Sequence, residues 1–173
     1  MRSSHAVVRS LERFIHSEIY KAQPDIKAVV HSHSPSIIPF GITNVPLRPI
    51  YHMSSFLGAG VPVFEIREAG GAATDMLIRD PALGAAVARK LGGSAVVLMR
   101  GHGNVVVGQS IEQVVFRAIY TEINAKLQAE ALRLGQDTVA FLNAEEAANA
   151  TATNNLVLSR AWELWKQQAF RPR

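Results

Sequence analysis

Apolar residues recur every three or four positions near the start of the chain, a spacing typical of a helix with one buried face. Ser10 is placed to cap this helix, which is predicted to run to about Ala22 and to end before Pro24-Asp25. The apolar face consists of Leu11, Phe14, Ile15 and Ile19.

Short, continuous apolar runs predict the strands of a sheet. Asn104–Val107 follows a glycine-containing turn and is expected to return antiparallel to the run before that turn. A shorter apolar run, Ile37–Phe40, lies between Ser34-Pro35 and the turn at Thr43-Asn44, and its secondary structure stays open. The other predicted strands are Ile26–His33, Val61–Ile66 and Ala95–Met99.

Capping residues mark the remaining helices. Ser110 and Gln113 form a capping-box pattern at the start of a long helix, which is predicted to stop at Gly135. The other predicted helices are Pro81–Leu91 after Asp80, one that Asn143 and Glu146 cap, and Leu156–Phe170. The packing positions of the long helix are predicted to be Val114, Val115, Ala118, Ile119, Ala125 and Leu127. Interleaved strands and helices indicate a single α/β domain.

Composition narrows the function classes. The 173 residues suffice for one domain with a full core, and no apolar run is long enough to span a membrane. The N-terminus lacks a signal-peptide core, so the protein is predicted to be soluble and cytoplasmic. The net charge of +4 comes from scattered basic residues, which argues against nucleic-acid binding and leaves an anionic small substrate compatible. The chain has no cysteine, so any metal must be held by imidazole and oxygen ligands.

Three histidines form the strongest candidate site. Side chains two apart on a strand point to the same face, so His31 and His33 can approach one ion together. His102 lies between two glycines, where the backbone can come close to that ion. Three imidazole ligands would leave a coordination position open, as in catalytic metal sites. The alternative is that each histidine is an ordinary hydrogen-bonded residue, which is the commoner case for any single one.

Glu12 is the candidate acid–base group. It lies four residues before His16 on the first predicted helix, and that helix leads directly into the strand that ends at His31 and His33. Glu12 is therefore expected to come back over the strand end as a metal ligand, a general base, or both in turn. The alternative is a surface glutamate paired with Arg9. His16 is predicted to support the ligands from behind or to have a structural role, rather than to be a ligand.

A third group of candidates follows the turn near Pro46. Tyr51 is a candidate proton donor, and Arg48 and His52 are candidates for holding an anionic part of the substrate. In the alternative interpretation, Tyr51 and Ile50 belong to the core and His52 is a loop histidine.

Taken in order, these motifs resemble the class II aldolase/adducin family. The resemblance rests on Glu12-x-x-x-His16, Pro24-Asp25, Ala28-Val-Val-His31-x-His33, and Gly101-His102-Gly103 before a long helix. It implies a three-layer α/β/α fold with a mainly antiparallel central sheet, usually assembled as a tetramer with sites between subunits. It also implies His31, His33 and His102 as ligands of one divalent ion, with zinc foremost and manganese or iron as alternatives.

The resemblance further implies a lyase that breaks a carbon–carbon bond next to a carbonyl, by retro-aldol cleavage or decarboxylation. The open position of the ion would stabilise the resulting enediolate, with Glu12 as acid/base, on a sugar phosphate or hydroxy acid. The stretches around Pro39-Phe-Gly, Arg48–Met53 and Phe56-Leu-Gly are closest to decarboxylase-like members. The alternatives are a sugar-phosphate 4-epimerase and a catalytically silent, adducin-like interaction domain.

The same resemblance bears on the extent of the domain. Members of this family usually carry further residues before the helix that contains Glu12, among them loops that bind the phosphate or carboxylate of the substrate. Residues 1–173 are therefore expected to be a single class II aldolase-like domain that lacks this N-terminal segment.

Overall fold

A four-stranded mixed sheet forms the centre of the computed structural model, which describes residues 12–135 and 138–171. The strands are β1 (Ala28–Ser32), β2 (Val63–Phe64), β3 (Val96–Met99) and β4 (Gly103–Gly108), in the order β1-β4-β3-β2. β4 runs antiparallel to both β1 and β3, whereas β2 is parallel to β3. The expected antiparallel return after the glycine turn is confirmed, and the sheet is mixed rather than purely antiparallel.

The five predicted helices occur in the predicted order, together with three others. The helices are α1 (Arg13–Ala22), α2 (Ile38–Ile42), a 3₁₀ helix (His52–Ala59), α3 (Ile66–Gly70), α4 (Pro81–Leu91), α5 (Ile111–Gly135), α6 (Ala144–Asn155) and α7 (Leu158–Ala169). Of these, α2, the 3₁₀ helix and α3 were not predicted. No helix in the described part of the chain is both long and apolar enough to cross a membrane.

Two separate apolar cores lie on the two faces of the sheet, and together they make the three layers. Val97 and Met99 of β3 pack with the buried faces of α1 and α4. The alternate residues Val96 and Leu98 pack on the other face with α2, the 3₁₀ helix and α5. Because strand residues alternate in direction, one fully buried strand serves both cores. The α/β/α architecture is confirmed.

Close packing of α1 on α4 fixes the position of Glu12, the residue that precedes the first turn of α1. A Cβ atom on Gly84 of α4 would lie 2.4 Å from the carbonyl oxygen of Phe14. The missing side chain at Gly84 therefore lets the two helices touch. Ile15 and Ile19 of α1 are completely buried against this core.

Capping positions are largely as predicted. The Asp80 carboxylate accepts a hydrogen bond from the backbone N–H of Leu83 at 2.9 Å. Asn143 and Glu146 form the complete reciprocal capping box at the start of α6. Ser110 accepts from the N–H of Gln113 at 3.1 Å, as expected at the start of α5. The predicted cap Ser10 lies outside the described residues.

Two predictions were wrong in detail. The run Val61–Ile66 yields only the two-residue strand β2, because the Glu65 carboxylate accepts from the N–H of Arg67 at 3.0 Å and starts α3 there. Leu127, predicted to pack inside, is 44% exposed. The buried positions of α5 include instead the polar residues Gln113, Thr121, Asn124 and Gln128.

Candidate metal centre

Strand pairing brings the three predicted histidines to one edge of the sheet. His31 lies in β1, and His33 is the first residue after it. His102 occupies the turn between β3 and β4, next to Gly101, whose φ of +62° reverses the chain. Because Ser32 pairs with Asn104, the end of β1 and the start of β4 lie side by side. Residues far apart in sequence therefore meet here.

The structure places Glu12 and these histidines in one cluster. One ligand atom from each of the four residues lies within 4.8 Å of all the others. The Nε2 atoms of His33 and His102 are 3.0 Å apart, and Nε2 of His31 lies 3.1 Å from Oε2 of Glu12. Oε1 of Glu12 lies 3.5 Å from Nε2 of His102. The sequence predicted this convergence.

Two backbone carbonyls orient the buried rings. Nδ1 of His31 lies 3.0 Å from the carbonyl oxygen of Asn104, and Nδ1 of His102 lies 2.9 Å from that of Met76. Because a carbonyl can only accept, each Nδ1 must carry the hydrogen and donate it. In a neutral ring this leaves the lone pair on Nε2, which points into the cluster. Such outer hydrogen bonds are typical of metal-ligating histidines.

Met76 was not predicted and has an unusual backbone. Its φ of 73° is the only positive value among the described non-glycine residues. The carbonyl oxygen of this left-handed residue is the acceptor for His102. Left-handed conformations of non-glycine residues are costly and concentrate at functional sites. Nothing in the local sequence indicates one here.

Burial differs among the four residues and gives the cluster an open side. The side chains of His31, His102 and Glu12 are 11%, 8% and 14% exposed, whereas that of His33 is 64% exposed. Burial lowers the pKa of His31, although its bond to Asn104 and the Glu12 charge act in the opposite direction. A neutral imidazole is the form that binds a metal ion.

Glu122 of α5 holds the segment that follows His33. Its carboxylate accepts hydrogen bonds from the hydroxyls of Ser34 and Ser36, the latter at 2.6 Å. Burial raises the pKa of Glu122, but these two bonds together with Lys126 outweigh it and hold that pKa below its usual value. The contact spans 86 positions in sequence, so no local pattern could have indicated it.

The structure does not bring the third group of candidates into the cluster. Arg48 lies over the ring of Phe141, with its guanidinium carbon 4.0 Å from the ring centre. The ring of Tyr51 contacts those of His52 and Tyr120. The Tyr51 hydroxyl is buried without a hydrogen-bond partner among the described residues, and burial raises its pKa to about 12. The roles of Arg48, Tyr51 and His52 stay predictions.

The donor set fits a divalent cation. With their Nδ1 hydrogens donated to carbonyls, neutral His31 and His102 turn their Nε2 lone pairs into the cluster, that of His31 toward the Glu12 carboxylate. A bound cation or an extra proton stabilises this arrangement. Two nitrogens that each bind zinc tetrahedrally at 2.0–2.1 Å lie about 3.3 Å apart, close to the 3.0 Å between His33 and His102. Imidazole and carboxylate ligands suit zinc, manganese or iron.

A family model and two relatives of known name match this chain. The family model described as Class II Aldolase and Adducin N-terminal domain matches residues 3–129. Decarboxylase tropJ of Talaromyces stipitatus is 40% identical over a 177-residue alignment that covers 91% of this chain and 66% of that protein. The 3,4-dihydroxyphthalate decarboxylase of Rhodococcus jostii is 36% identical over 126 residues, 70% of this chain and 49% of that protein. The chain thus spans between about half and two thirds of the length of these relatives.

Solved structures share the fold. An aldolase II superfamily protein from Pseudomonas syringae has a TM-score of 0.69 at 22% identity, covering 89% of this chain and 60% of that one. The L-fuculose 1-phosphate aldolase from Glaciozyma antarctica has a TM-score of 0.66 at 23% identity, covering 86% and 53%. At this level of identity the likeness establishes the architecture alone.

Proposed function

Because this chain belongs to the class II aldolase and adducin family, we propose that it is a metal-dependent lyase that decarboxylates a hydroxylated carboxylic acid. The observation that carries the proposal is the convergence of Glu12, His31, His33 and His102 within 4.8 Å, with two rings oriented by carbonyls. The names of the relatives at 40% and 36% identity support decarboxylation over aldol cleavage.

The three imidazoles would hold the ion, with the Glu12 carboxylate beside it as the acid–base group. A divalent ion held there supplies Lewis-acid polarisation of a substrate oxygen. Zinc is our first choice, with manganese or iron as alternatives. The exposed side of the cluster, at His33, is where a substrate would enter, since the other three side chains are mostly buried.

A carboxyl group of this chain can supply the proton that decarboxylation requires. In decarboxylation the bond to the carboxylate carbon breaks, carbon dioxide leaves, and the electron pair stays on the remaining carbon until a proton replaces it. Glu12 is the carboxyl group placed to hold and deliver that proton at Oε2, because its Oε1 also accepts from the backbone N–H of Ile78 at 3.4 Å. General acid–base help of this kind contributes about 10²–10⁴-fold.

The substrate class follows from relatives and charge. The proposal is a hydroxylated ring acid that, like 3,4-dihydroxyphthalate, carries neighbouring oxygen atoms and is anionic at neutral pH. The net charge of +4 is compatible with such a substrate. The family resemblance suggests a homotetramer, which sedimentation analysis would test.

The first experiment is elemental analysis of purified protein beside the variant His33→Ala, with His52→Ala as a matched histidine control outside the cluster. Near-stoichiometric metal in the wild type and in His52→Ala, but not in His33→Ala, is the expected result. Metal that persists in His33→Ala, or a folded wild type without metal, would overturn the proposed centre.

A second experiment separates the two reaction types. The metal-loaded protein is incubated with 3,4-dihydroxyphthalate and, separately, with L-fuculose 1-phosphate, while released carbon dioxide and aldehyde products are measured. Carbon dioxide release from the ring acid supports the proposal. Cleavage of the sugar phosphate alone would replace decarboxylation by aldol chemistry.

A further inference from the structure

A cavity lies at the end of the sheet opposite the candidate metal centre. It has a volume of about 540 Å³ and is bounded by β4 near Val107, the 3₁₀ helix, the start of α5 and one face of α6. Val107 is four strand residues beyond Gly103, which is about 13 Å of extended chain. The cavity is therefore separate from the cluster around His102. Its size falls within the usual range for small-molecule sites.

The charge of the cavity wall is positive and comes from one arginine. Among the described residues of its wall, Arg117 of α5 is the only charged one, and none is an aspartate or a glutamate. The polar part of the wall consists of hydroxyl and carboxamide groups. These come from Gln23, Ser55, Ser94, Gln109, Gln113, Thr151 and Asn155.

Most of these neutral polar groups already bond one another. The amide of Gln113 donates to Asn155 at 3.1 Å, and the hydroxyl of Thr151 donates to that of Ser55 at 2.9 Å. The backbone N–H of Gln109 donates to the Gln113 side chain at 2.8 Å. The wall is thus preorganised without a ligand, and these pairs do not use the guanidinium.

Arg117 differs from these groups, because most of its N–H donors have no acceptor among the described residues. It is half-buried, and the only hydrogen bond described for its guanidinium runs from Nη1 to the carbonyl oxygen of Val107 at 2.7 Å. No described carboxylate lies within ion-pair distance, and burial lowers the pKa of Arg117. A guanidinium offers five N–H donors in a planar fork that matches a carboxylate or phosphate. A half-buried cation facing a cavity without acids is therefore incompletely compensated.

We propose that this cavity is a second ligand site, which binds a small organic anion through the guanidinium of Arg117. The ligand class is a carboxylate or a phosphate ester, whose oxygen atoms would accept the hydrogen bonds that Val107 leaves unused. Phe56, whose ring centre lies 5.9 Å from the guanidinium carbon, adds an apolar surface beside the charge. The site requires neither the metal centre nor the proposed reaction.

Calorimetric titration with two probes, benzoate and inorganic phosphate, tests this site and distinguishes a carboxylate from a phosphate ligand. Arg117→Gln removes the cation, and Ala148→Phe fills the cavity from the exposed face of α6 while leaving Arg117 in place. Arg133→Gln is the matched control, an exposed arginine on the same helix. His33→Ala is the control for the metal centre.

We expect at least one probe to bind the wild type at millimolar concentration or below. The affinity should fall at least tenfold in Arg117→Gln and in Ala148→Phe, and should be unchanged in Arg133→Gln and His33→Ala. If Arg117→Gln fails to fold, Ala148→Phe decides. Binding that is unchanged in Ala148→Phe, binding lost in His33→Ala, or a folded wild type that binds neither probe would overturn the proposal.

Discussion

A Cβ atom on Gly103 would lie 2.1 Å from the carbonyl oxygen of Ser32 and 3.0 Å from the Cα of His33. The ends of β1 and β4, which position the candidate ligands, can approach this closely only because position 103 has no side chain. Real Cβ atoms do not tolerate such a distance to backbone, so any larger residue must push β1 and β4 apart.

Gly103→Ala should therefore separate His102 from His31 and His33. We expect metal content to fall below one tenth of the wild-type value, measured by elemental analysis, and thermal stability to drop. Gly93→Ala is the matched control, since a Cβ there meets no atom within 4 Å. A Gly103→Ala protein with full metal content would show that the close approach is not required.

Glu12→Gln tests the role proposed for the carboxyl group. The carboxamide keeps the size of the side chain but cannot deliver a proton, so the metal should be retained while turnover falls by about 10²–10⁴-fold. Elemental analysis and a carbon dioxide assay on the same sample measure both quantities. Full activity with retained metal would contradict the proton-transfer role, and loss of metal would make Glu12 chiefly a ligand.

Glu122→Gln should loosen the segment after His33, because a carboxamide cannot accept strongly from both serines. Loss of such outer contacts typically costs about 10–100-fold in metal affinity, and we expect an effect in this range in a competition titration with a chromophoric chelator. Glu130→Gln, an exposed acid on the same helix, is the control and should bind metal like the wild type. If Glu122→Gln and Glu130→Gln bind the metal with equal affinity, Glu122 contributes to the stability of the fold and not to metal binding.

Asn124 is completely buried in α5 and ties down the loop that leads to the 3₁₀ helix. It accepts from the N–H of Ile50 at 3.1 Å and from the Ser54 hydroxyl at 2.6 Å, and donates to the carbonyl oxygen of Arg48 at 2.8 Å. Asn124→Ala leaves these buried groups without partners, so the free energy of unfolding should fall by about 3 kcal/mol.

Urea denaturation measures this loss. Lys126→Ala, on the exposed side of the same helix, should change the unfolding free energy by less than about 0.5 kcal/mol. A change for Asn124→Ala as small as that of the control would contradict the proposed function of the buried bonds.

The metal-free protein should lose stability in mildly acidic solution. Burial lowers the pKa of both His16 and His31 from the ordinary value of 6.5, against the attraction of Glu12. The unfolded chain therefore binds protons at a higher pH than the native state. The stabilisation is present above pH 6.5 and decreases as the pH falls below it. His16→Gln should flatten this decrease in chelator-treated protein, measured as melting temperature against pH. If the slope of melting temperature against pH is the same in His16→Gln as in the wild type, His16 does not contribute to the loss of stability.

The shared face of His31 and His33 and the turn at His102 could be predicted, because each depends on a local rule. That His102 lies beside this pair, 69 positions from His33, was indicated by the order of the motifs in the family resemblance. Alternation along β1 places His31 and His33 on one face, and glycines beside His102 indicate a tight turn. Met76 and Glu122 could not be predicted, since their partners are 26 and 86 or more positions away and come together only when the helices pack on the sheet.

The errors in the fold have the same origin. Apolar periodicity assigned Leu127 to the interior, yet α5 buries Asn124 and Gln128 instead. These carboxamides satisfy the backbone groups of a loop that makes no regular structure, such as the N–H of Arg48 and the carbonyl of Pro46. A polar residue in a helix is ordinarily expected at the surface, and only the tertiary structure shows that a loop needs it inside.

Position 84 is expected to tolerate no residue other than glycine. It takes no part in chemistry and lies in a helix with no candidate ligand, yet any side chain there would collide with the backbone of Phe14, two residues after Glu12. In a library of single substitutions scored for activity, position 84 should be as intolerant as the histidines of the cluster. Inactive variants at this position would show that the spacing between α1 and α4 is required to place the Glu12 carboxylate.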